Sequence, residues 1–170
     1  MAPQNRDLLI EDCRLLFRNF SGEKMQFNAA GDRNFCIALP NDLASSMEKD
    51  GWNVKYLKAR EEGDEPQGYI KVKVNFSGRP PKVVMVTSRN KTTLDEHTAG
   101  LLDYADILTA DVIINPYDWV LDSGATGRTA YLQSIFVTIR ESELDRKYQD
   151  IPDAVPSMHY DYDQMTGEAA

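Results

Sequence analysis

Residues 69–76, which read YIKVKVNF, alternate between hydrophobic side chains and polar or amphipathic ones without a break. The hydrophobic set comprises Ile70, Val72, Val74 and Phe76, and the other set comprises Tyr69, Lys71, Lys73 and Asn75. Because successive side chains of a β-strand point to opposite faces, this pattern predicts a strand with one buried face and one solvent face. Such a strand is stable only beside partner strands over a shared core, so the chain must be built around a β-sheet.

Shorter segments of β-like composition lie on both sides of this strand. They are residues 14–20, 25–28, 33–38, 52–59, 83–87, 106–115 and 128–139, separated by turn residues. The last of them is apolar on both faces, which predicts a central, buried strand. Pro116 should end the strand before it or place that strand at an edge of the sheet.

Helical signals are few and short. The stretch from Pro40 to Gly51 predicts one helix, and the Thr93-x-x-Glu96 spacing has the form of a capping box that begins another. Residues 141–148 are a third candidate. Since strands and helices do not alternate regularly, the predicted fold class is mainly β with short helices, arranged as an antiparallel barrel or sandwich.

The negative charge of the chain is concentrated near its C-terminal end. Of the net charge of −8, −6 falls on residues 141–170, which leaves −2 on residues 1–140. Beyond Pro152 the residues are mostly small or acidic and show no periodicity, which is typical of a flexible segment. We therefore predict a folded domain over residues 1–148 and a flexible acidic tail over residues 149–170. The nearly neutral body can still carry a basic face if its charges are segregated.

The polar face of residues 69–76 is the strongest candidate for a binding surface. Tyr69 offers a ring on which a base can stack, and Lys71 and Lys73 offer two partners for phosphates, which is the combination that single-stranded nucleic acids require. The same residue types recur elsewhere in the body, at Trp52, Lys55, Tyr56, Lys58, Arg89, Lys91, Tyr117, Trp119, Arg128 and Tyr131. We predict that these residues together bind nucleic acid.

Each of these candidates also has a structural interpretation. The lysine-bearing face can be an ordinary solvated face, and Trp52 and Tyr131 can pack in the core. Tyr117 and Trp119 lie in a stretch, NPYDW, whose proline predicts a turn without regular pairing. These two rings form either a lid over the core or a binding platform.

Signals for catalysis or metal binding are weak. His97 and His159 are isolated, and the spacing of Asp103, Asp106 and Asp111 matches neither a calcium loop nor a pair of carboxylates on one face. The GATGR stretch lacks the Gly-Lys-Ser/Thr ending of a phosphate loop. We predict a protein that is not an enzyme and that uses no cofactor and no metal.

The cysteines and the hydropathy pattern indicate the cell compartment. Cys13 and Cys36 have no metal or redox spacing, so we expect two reduced, packed thiols. No apolar run approaches the roughly 18 residues that a membrane span needs, and the first residues, MAPQNRDLLIED, do not resemble a secretion signal. We expect a cytoplasmic protein without a membrane partner, located in the host cytoplasm if the chain is viral.

Residues 101–139, LLDYADILTADVIINPYDWVLDSGATGRTAYLQSIFVTI, resemble the closing strand pair of phage single-stranded DNA-binding proteins with an OB fold. In that family a strand ends in an aromatic turn, a glycine-containing loop follows, and the next strand opens with a Gly/Arg-x-Ala-x-Leu-like motif. The earlier elements GDRNFCI, WNVKYLKA and GYIKVKVNF occur in a compatible order, so the resemblance covers residues 14–140. It implies a single OB-like antiparallel β-barrel that binds nucleic acid across its second and third strands.

The resemblance also implies a role for the acidic tail, because tails of this family contact replication partners and often finish with an aromatic residue. This chain ends in Gly167-Glu168-Ala169-Ala170 instead.

Two functions follow as hypotheses. The first is a single-stranded DNA-binding protein that coats and protects DNA during phage replication or recombination, while the tail modulates binding or recruits replication or recombination proteins. The alternative is an acidic phage protein-interaction module, such as a host-factor inhibitor or an assembly factor, that does not bind nucleic acid.

Overall fold

Nine β-strands and two short helices make up the part of the chain that the structure, a computed structural model, describes, namely residues 6–58 and 61–141. The strands are β1 (Leu8–Cys13), β2 (Leu15–Asn19), β3 (Arg33–Leu39), β4 (Val54–Leu57), β5 (Gln67–Val74), β6 (Lys82–Val86), β7 (Lys91–Leu94), β8 (Ile107–Val120) and β9 (Thr126–Ile139). The helices are α1 (Asn41–Lys49) and a 3-10 helix (Ala99–Asp103). The mainly β class predicted from the sequence is confirmed. The predicted helix over residues 141–148 and the tail over residues 149–170 lie outside the described residues.

All nine strands belong to one sheet. Its main path runs β1-β8-β9-β5-β3-β2, with β4 paired to β5, β6 paired to β9, and β7 paired to β6. The β5–β9 and β6–β9 ladders are parallel, and the other ladders are antiparallel. The prediction of a closed, purely antiparallel barrel is therefore wrong in detail, because two ladders are parallel and no ladder of the described residues joins β1 to β2.

The two ends of the main path are nevertheless neighbours in sequence. β1 ends at Cys13 and β2 begins at Leu15, so a bend at Arg14 separates them. β1 pairs with β8 through Cys13 and Ala110, whereas β2 pairs with β3 through Leu15 and Ile37. The N–H of Ala38 donates to the carbonyl of Arg14 at 2.9 Å, so the bend itself is bonded to β3. One stretch of chain thus serves both ends of the sheet.

The core lies under the hydrophobic faces that the alternating patterns define. In β5, Ile70, Val72 and Val74 are buried, while Lys71 and Lys73 between them are exposed. Alternation also buries Phe35, Ile37 and Leu39 in β3 and, on either side of an irregularity in its pairing with β8, four residues of β9, namely Ala130, Leu132, Ile135 and Val137. Each fully buried aliphatic or aromatic side chain contributes about 1.5–3 kcal/mol relative to its exposed state, so these faces decide which side of the sheet meets solvent.

The final strand is central, as its composition predicts. β9 pairs with β8 along its length and with β5 and β6 on its other edge. Pro116 does not end β8, which continues to Val120. The pairing of β8 with β1 stops at Ile114, so among the described residues β8 is an edge strand beyond this point, and Pro116, opposite Ala130, is accommodated there. The predicted aromatic turn is therefore a strand.

The capping-box prediction was wrong. Thr93 lies in β7, and the side chain of Asp95 accepts hydrogen bonds from the N–H groups of His97 and Thr98, which forms a turn. Local side-chain bonds of this kind compete with helix formation. A short 3-10 helix follows, and Asp103 at its end accepts from the N–H of Phe20 at 2.6 Å, which ties it to the end of β2.

The helix after Pro40 agrees with its prediction, whereas the first strand was not predicted. The helix predicted from Pro40 is present as α1, and Gly51 follows it with a φ of 99°, a conformation that glycine adopts readily. β1 was missed, because its sequence LLIEDC has acidic residues that obscure the alternation. No helix of the described residues is long and apolar enough to cross a membrane.

Candidate nucleic-acid interface

A polar cleft lies across three adjacent strands on the outer face of the sheet. In the registers of β3, β5 and β9, Asn34 is opposite Lys73 and Lys73 is opposite Tyr131. Lys71, Asn75, Arg33 and one carboxylate, that of Asp32, belong to the polar lining as well, and the cleft has a volume of about 330 Å³. Because paired residues of neighbouring strands point to the same face, the cleft is a direct product of strand register.

Lys71 and Lys73, the two lysines of the cleft, take part in no salt bridge among the described residues. Both ammonium groups are exposed, and neither forms a salt bridge with a carboxylate of residues 6–58 or 61–141. Arg33 also borders the cleft, but its guanidinium donates to the carbonyls of Phe20 at 2.9 Å and Glu96 at 2.7 Å. Among the described residues that line the cleft, Lys71 and Lys73 are therefore the cations without a salt bridge or a side-chain hydrogen bond.

Aromatic rings flank the lysines on both sides. Tyr131 is half-buried and makes an edge-to-face contact with Tyr117, with ring centroids 6.1 Å apart. Tyr69, two residues before Lys71, makes a similar contact with Phe17 at 6.0 Å. The outer face thus presents rings and ammonium groups side by side, as the sequence predicts for β5.

The register of β8 and β9 places the remaining hairpin aromatics on this same face. Tyr117 is opposite Thr129 and Trp119 is opposite Gly127, so both rings share the face of Tyr131. The indole N–H of Trp119 donates to the Thr129 hydroxyl at 3.2 Å, and its ring lies over Gly127, where a Cβ would come within 2.2 Å of it. Neither ring is a lid over the core. Tyr117, which is 58% exposed, is the more accessible of the two.

Trp52 and Arg128 do not belong to this face. Trp52 is 6% exposed and lies in the core cluster, so the prediction that its ring stacks on a base is wrong. Arg128 is one residue from Thr129 and therefore points to the opposite side of β9. Its guanidinium lies 5.1 Å from the centre of the Trp52 ring, so Trp52 follows its packing interpretation and Arg128 packs on it.

Arg128 is also saturated by other partners. It donates to the carboxylate of Asp118 at 2.6 Å and to the carbonyl of Asp50 at 2.8 Å. Hydrogen bonds from Arg128, which has the larger effect, and from Arg6 lower the pKa of Asp118 to about 2. The same Asp118 carboxylate raises the pKa of Arg128. A phosphate would have to displace these contacts, so Arg128 stabilises the fold rather than the interface.

The candidates on β4 divide between the two faces. Lys55 is opposite Tyr69 and exposed, so it extends the basic row of β5. Tyr56 points the other way and its hydroxyl donates to the carboxylate of Glu48, which raises the pKa of Tyr56. Lys58 is exposed just after the end of β4.

Arg89 and Lys91 lie away from the cleft. Both are exposed in the connection between β6 and β7 and at the start of β7, and neither lines the cleft. β6 borders β9 at residues 134–138, beyond the position of Tyr131. The structure therefore brings these two residues together with each other and not with the lysines of β5.

Sequence reasoning missed three residues near the cleft. Asn34 looked like part of a short strand, and only its register beside Lys73 places it in the lining. Phe17 and Phe27 are exposed to 61% and 91%, although hydrophobic residues in β-like segments are expected to be buried. Phe27 belongs to the loop before β3, which the Asn28 amide holds by donating to three carbonyls. No local sequence signal separates these rings from core rings.

Both cysteines are buried and free, as predicted. Burial raises the pKa of Cys13 to about 12 and that of Cys36 to about 11, with Lys71 and Lys55 opposing the second shift. Both thiols are protonated at neutral pH, which makes them poor nucleophiles.

The acidic candidates have structural partners. Asp106 pairs with Arg140 at 3.2 Å, and Asp111 accepts from the N–H of Asp12 at 2.8 Å. Within residues 6–58 and 61–141, no group of three His, Cys, Asp or Glu side chains is placed to hold a metal ion.

The chain matches the sequence model of one protein family and resembles several solved structures in fold. The sequence model of the family described as "Putative phage ssDNA-binding domain" matches residues 2–166. No curated protein matches the chain.

Three solved structures of the single-stranded DNA-binding protein from bacteriophage Enc34 resemble this fold. The form in complex with ssDNA has a TM-score of 0.53 at 10% identity, covering 80% of this chain and 88% of that chain. A C-terminal truncation has a TM-score of 0.52 at 11% identity, covering 80% and 87%. The third form has a TM-score of 0.51 at 10% identity, covering 92% and 89%. At these identities the likeness is one of fold.

Proposed function

The chain belongs to the family of putative phage ssDNA-binding domains, and we propose that it binds single-stranded DNA and coats and protects it during phage replication or recombination. The observation that carries this proposal is the cleft of β3, β5 and β9. It joins two lysines that form no salt bridge within the described part of the chain to the ring of Tyr131 on one solvent face.

The chemistry of this face suits a ligand without a fixed sequence. Lys71 and Lys73 neutralise phosphates, and every base offers a flat face to Tyr131 or Tyr117. Stacking on a protein ring contributes about 1–3 kcal/mol per base, so a few rings provide most of the affinity that phosphate contacts do not. Binding by these means involves no bond-making step, and we place it in the host cytoplasm.

We further propose that the sheet is an OB-like arrangement. The bend at Arg14 supports this, because one stretch of chain bonds to β8 before the bend and to β3 after it. OB folds bind oligonucleotides across the faces of their second and third strands and the neighbouring loops. The outer faces of β3 and β5 and the loop that carries Phe27 are the corresponding surfaces here.

The test is a fluorescence anisotropy titration with oligo-dT of about 30 nucleotides over a series of salt concentrations. We expect the logarithm of the binding constant to fall linearly with the logarithm of the salt concentration. Absence of binding at low salt would overturn the proposal. An unchanged affinity across the series would contradict the phosphate contacts.

The acidic tail, residues 149–170, is proposed to compete with DNA for the lysine face or to recruit replication or recombination proteins. The support is its charge, since residues 141–170 carry −6 of the net −8. Deleting residues 149–170 should then tighten binding to oligo-dT at low salt, and the difference should shrink at high salt because the competition is electrostatic. Equal affinities of the two chains at every salt concentration would rule out the competition.

A further inference from the structure

Phe17 combines two unfavourable features in one residue. Its ring is 61% exposed, and its backbone has a φ of 50°, in the left-handed region that non-glycine residues rarely occupy. The register of β2 and β3 shifts between Leu16 and Asn19, so Phe17 lies in a β-bulge. Strained, exposed residues of this kind are retained where the strain positions a side chain for a purpose.

The residues after the bulge are clamped to the 3-10 helix (Ala99–Asp103). The Arg18 guanidinium donates to the carbonyls of Leu102 and Ala105, each at 2.7 Å. The Asp103 carboxylate accepts from the N–H of Phe20 at 2.6 Å. With Leu16 paired to Cys36 on one side and Arg18 held on the other, the backbone of Phe17 has little freedom to relax. The exposed position of its ring is therefore imposed by the fold.

The bulge directs the Phe17 ring onto the basic face. Its centroid is 6.0 Å from that of Tyr69, with the two ring planes at 72°. Lys71 follows Tyr69 on the same face of β5, and in the ladder Lys71 is opposite Cys36, which is opposite Leu16. Phe17 thus lies on β2, beside the outward-facing side chains Tyr69, Lys71 and Lys73 of β5.

We propose that Phe17 and Tyr69 form a base-stacking corner in which the exposed face of Phe17 carries one base of the bound strand. This inference rests on the proposed function and deepens it, because it assigns a second stacking position separated from Tyr131 by the two lysines. The phosphates on either side of the stacked base come within reach of Lys71 and Lys55, which flank Tyr69 on β5 and β4. The strain at Phe17 then fixes the ring before the strand arrives.

The first experiment compares Phe17→Ala with wild type on two oligonucleotides of equal length, one an oligo-dT and one with abasic sites throughout. Loss of one stacked base should weaken oligo-dT binding roughly 5- to 150-fold, and should leave binding to the abasic strand within about twofold. Leu9→Ala is the matched control, because Leu9 is a hydrophobic residue of similar exposure, 53%, on β1. It should leave both affinities unchanged.

The second experiment separates a binding role from a structural one. Phe17→Gly should unfold at the same temperature as wild type or higher, since glycine tolerates a φ of 50°, and yet bind oligo-dT as weakly as Phe17→Ala. Phe17→Trp should retain the affinity.

Equal weakening on oligo-dT and on the abasic strand would overturn the inference, as would unchanged binding by Phe17→Ala and Phe17→Gly. Retained DNA binding together with loss of a protein partner would overturn it in favour of a protein-docking surface. Failure of wild type to bind oligo-dT is a separate result that overturns the proposed function itself.

Discussion

Two positively charged regions of the same sheet are built in opposite ways. In the cleft, Lys71 and Lys73 project into solvent without a salt bridge to any carboxylate of the described residues. At the end of the β8–β9 hairpin, Arg128 is 15% exposed and is bound by Asp118, by the carbonyl of Asp50 and by the Trp52 ring. The lysine ammonium groups of the cleft are thus open to solvent, whereas the guanidinium of Arg128 is bound by neighbouring groups of the protein.

A cation that the protein leaves without partners is available to a ligand, whereas a cation already bound must first give up its contacts. The planar guanidinium of Arg128 suits several simultaneous partners, and the neighbouring backbone supplies them. An ammonium group on a flexible stem suits a phosphate that changes position along a strand. Mutations at the two regions should therefore affect different measurements.

The largest effect is expected for Lys71→Ala/Lys73→Ala. Each lost phosphate contact should reduce the salt slope by about 0.7. If the variant and wild type bind equally at about 1 M salt, the loss of two contacts makes the variant roughly 65-fold weaker than wild type at about 0.05 M salt. The melting temperature should not change, because both side chains are exposed and neither forms a salt bridge within residues 6–58 and 61–141. Lys49→Ala/Lys82→Ala removes the same charge outside the cleft and is the control. If it weakens oligo-dT binding equally, net charge matters and the cleft does not.

The converse variant is Arg128→Ala, which should lower the free energy of unfolding by about 2 kcal/mol, since it removes the charge-assisted hydrogen bonds to Asp118 and the contact with the buried Trp52 ring. In thermal unfolding this is a decrease of roughly 4–8 °C for a chain of this size. The folded variant should bind oligo-dT within about twofold of wild type. Arg79→Ala, in the exposed turn after β5, should leave both quantities unchanged. A loss of affinity without loss of stability would place Arg128 in the interface after all.

Tyr131 and Tyr56 test whether the face decides the role of a ring. Tyr131→Leu should weaken oligo-dT binding about tenfold, because the ring lines the cleft and stacking contributes at least about 1 kcal/mol. Tyr131→Phe keeps the ring and should retain the affinity. Tyr56→Leu removes a ring that is 45% exposed but directed toward Glu48, and should have no effect on binding. If fluorescence anisotropy shows that Tyr56→Leu weakens oligo-dT binding as much as Tyr131→Leu does, the assignment of the two rings to opposite faces is contradicted.

The smallest effect concerns the pH dependence of the hairpin end. Because the pKa of Asp118 is lowered to about 2 in the folded protein, its ionised form stabilises the fold above the unfolded pKa of about 4. This contribution should disappear as the pH falls through about 2. The difference in melting temperature between wild type and Asp118→Asn should be present at pH 5 and vanish near pH 2. A constant difference over this range would show that the carboxylate charge is not responsible.

Much of the site was predictable from the period of the strands. The alternation of residues 69–76 placed Tyr69, Lys71 and Lys73 on one solvent face, and the structure has them there. The same rule bears on Arg128 and Tyr131, which are three residues apart in one strand and therefore face opposite ways. The sequence prediction assigned Arg128 and Tyr131 to one interface and so did not apply the alternation of side chains along β9. The contact of Arg128 with Trp52 shows that the two residues lie on opposite faces.

Other features had no local signal. Register across strands brings Asn34, Lys73 and Tyr131 together, and register depends on pairings between residues far apart in sequence. The exposure of Phe17 depends on a bulge that is held by the 3-10 helix some 85 residues later, as the contact of Arg18 with Leu102 shows. In RLLFRNF the same residue is indistinguishable from a core phenylalanine.

The sequence by itself determined that this chain forms a mainly β protein, that its strand at residues 69–76 presents lysines to solvent, and that its last strand is central. These conclusions follow from side-chain period and hydrophobicity, which are local properties of the chain. Only the tertiary structure decided that two ladders are parallel, that Trp52 belongs to the core with Arg128 packed on its ring, and that Phe17 joins the basic face. Each of these depends on which distant strand pairs with which, and that choice is made by the packing of the whole sheet.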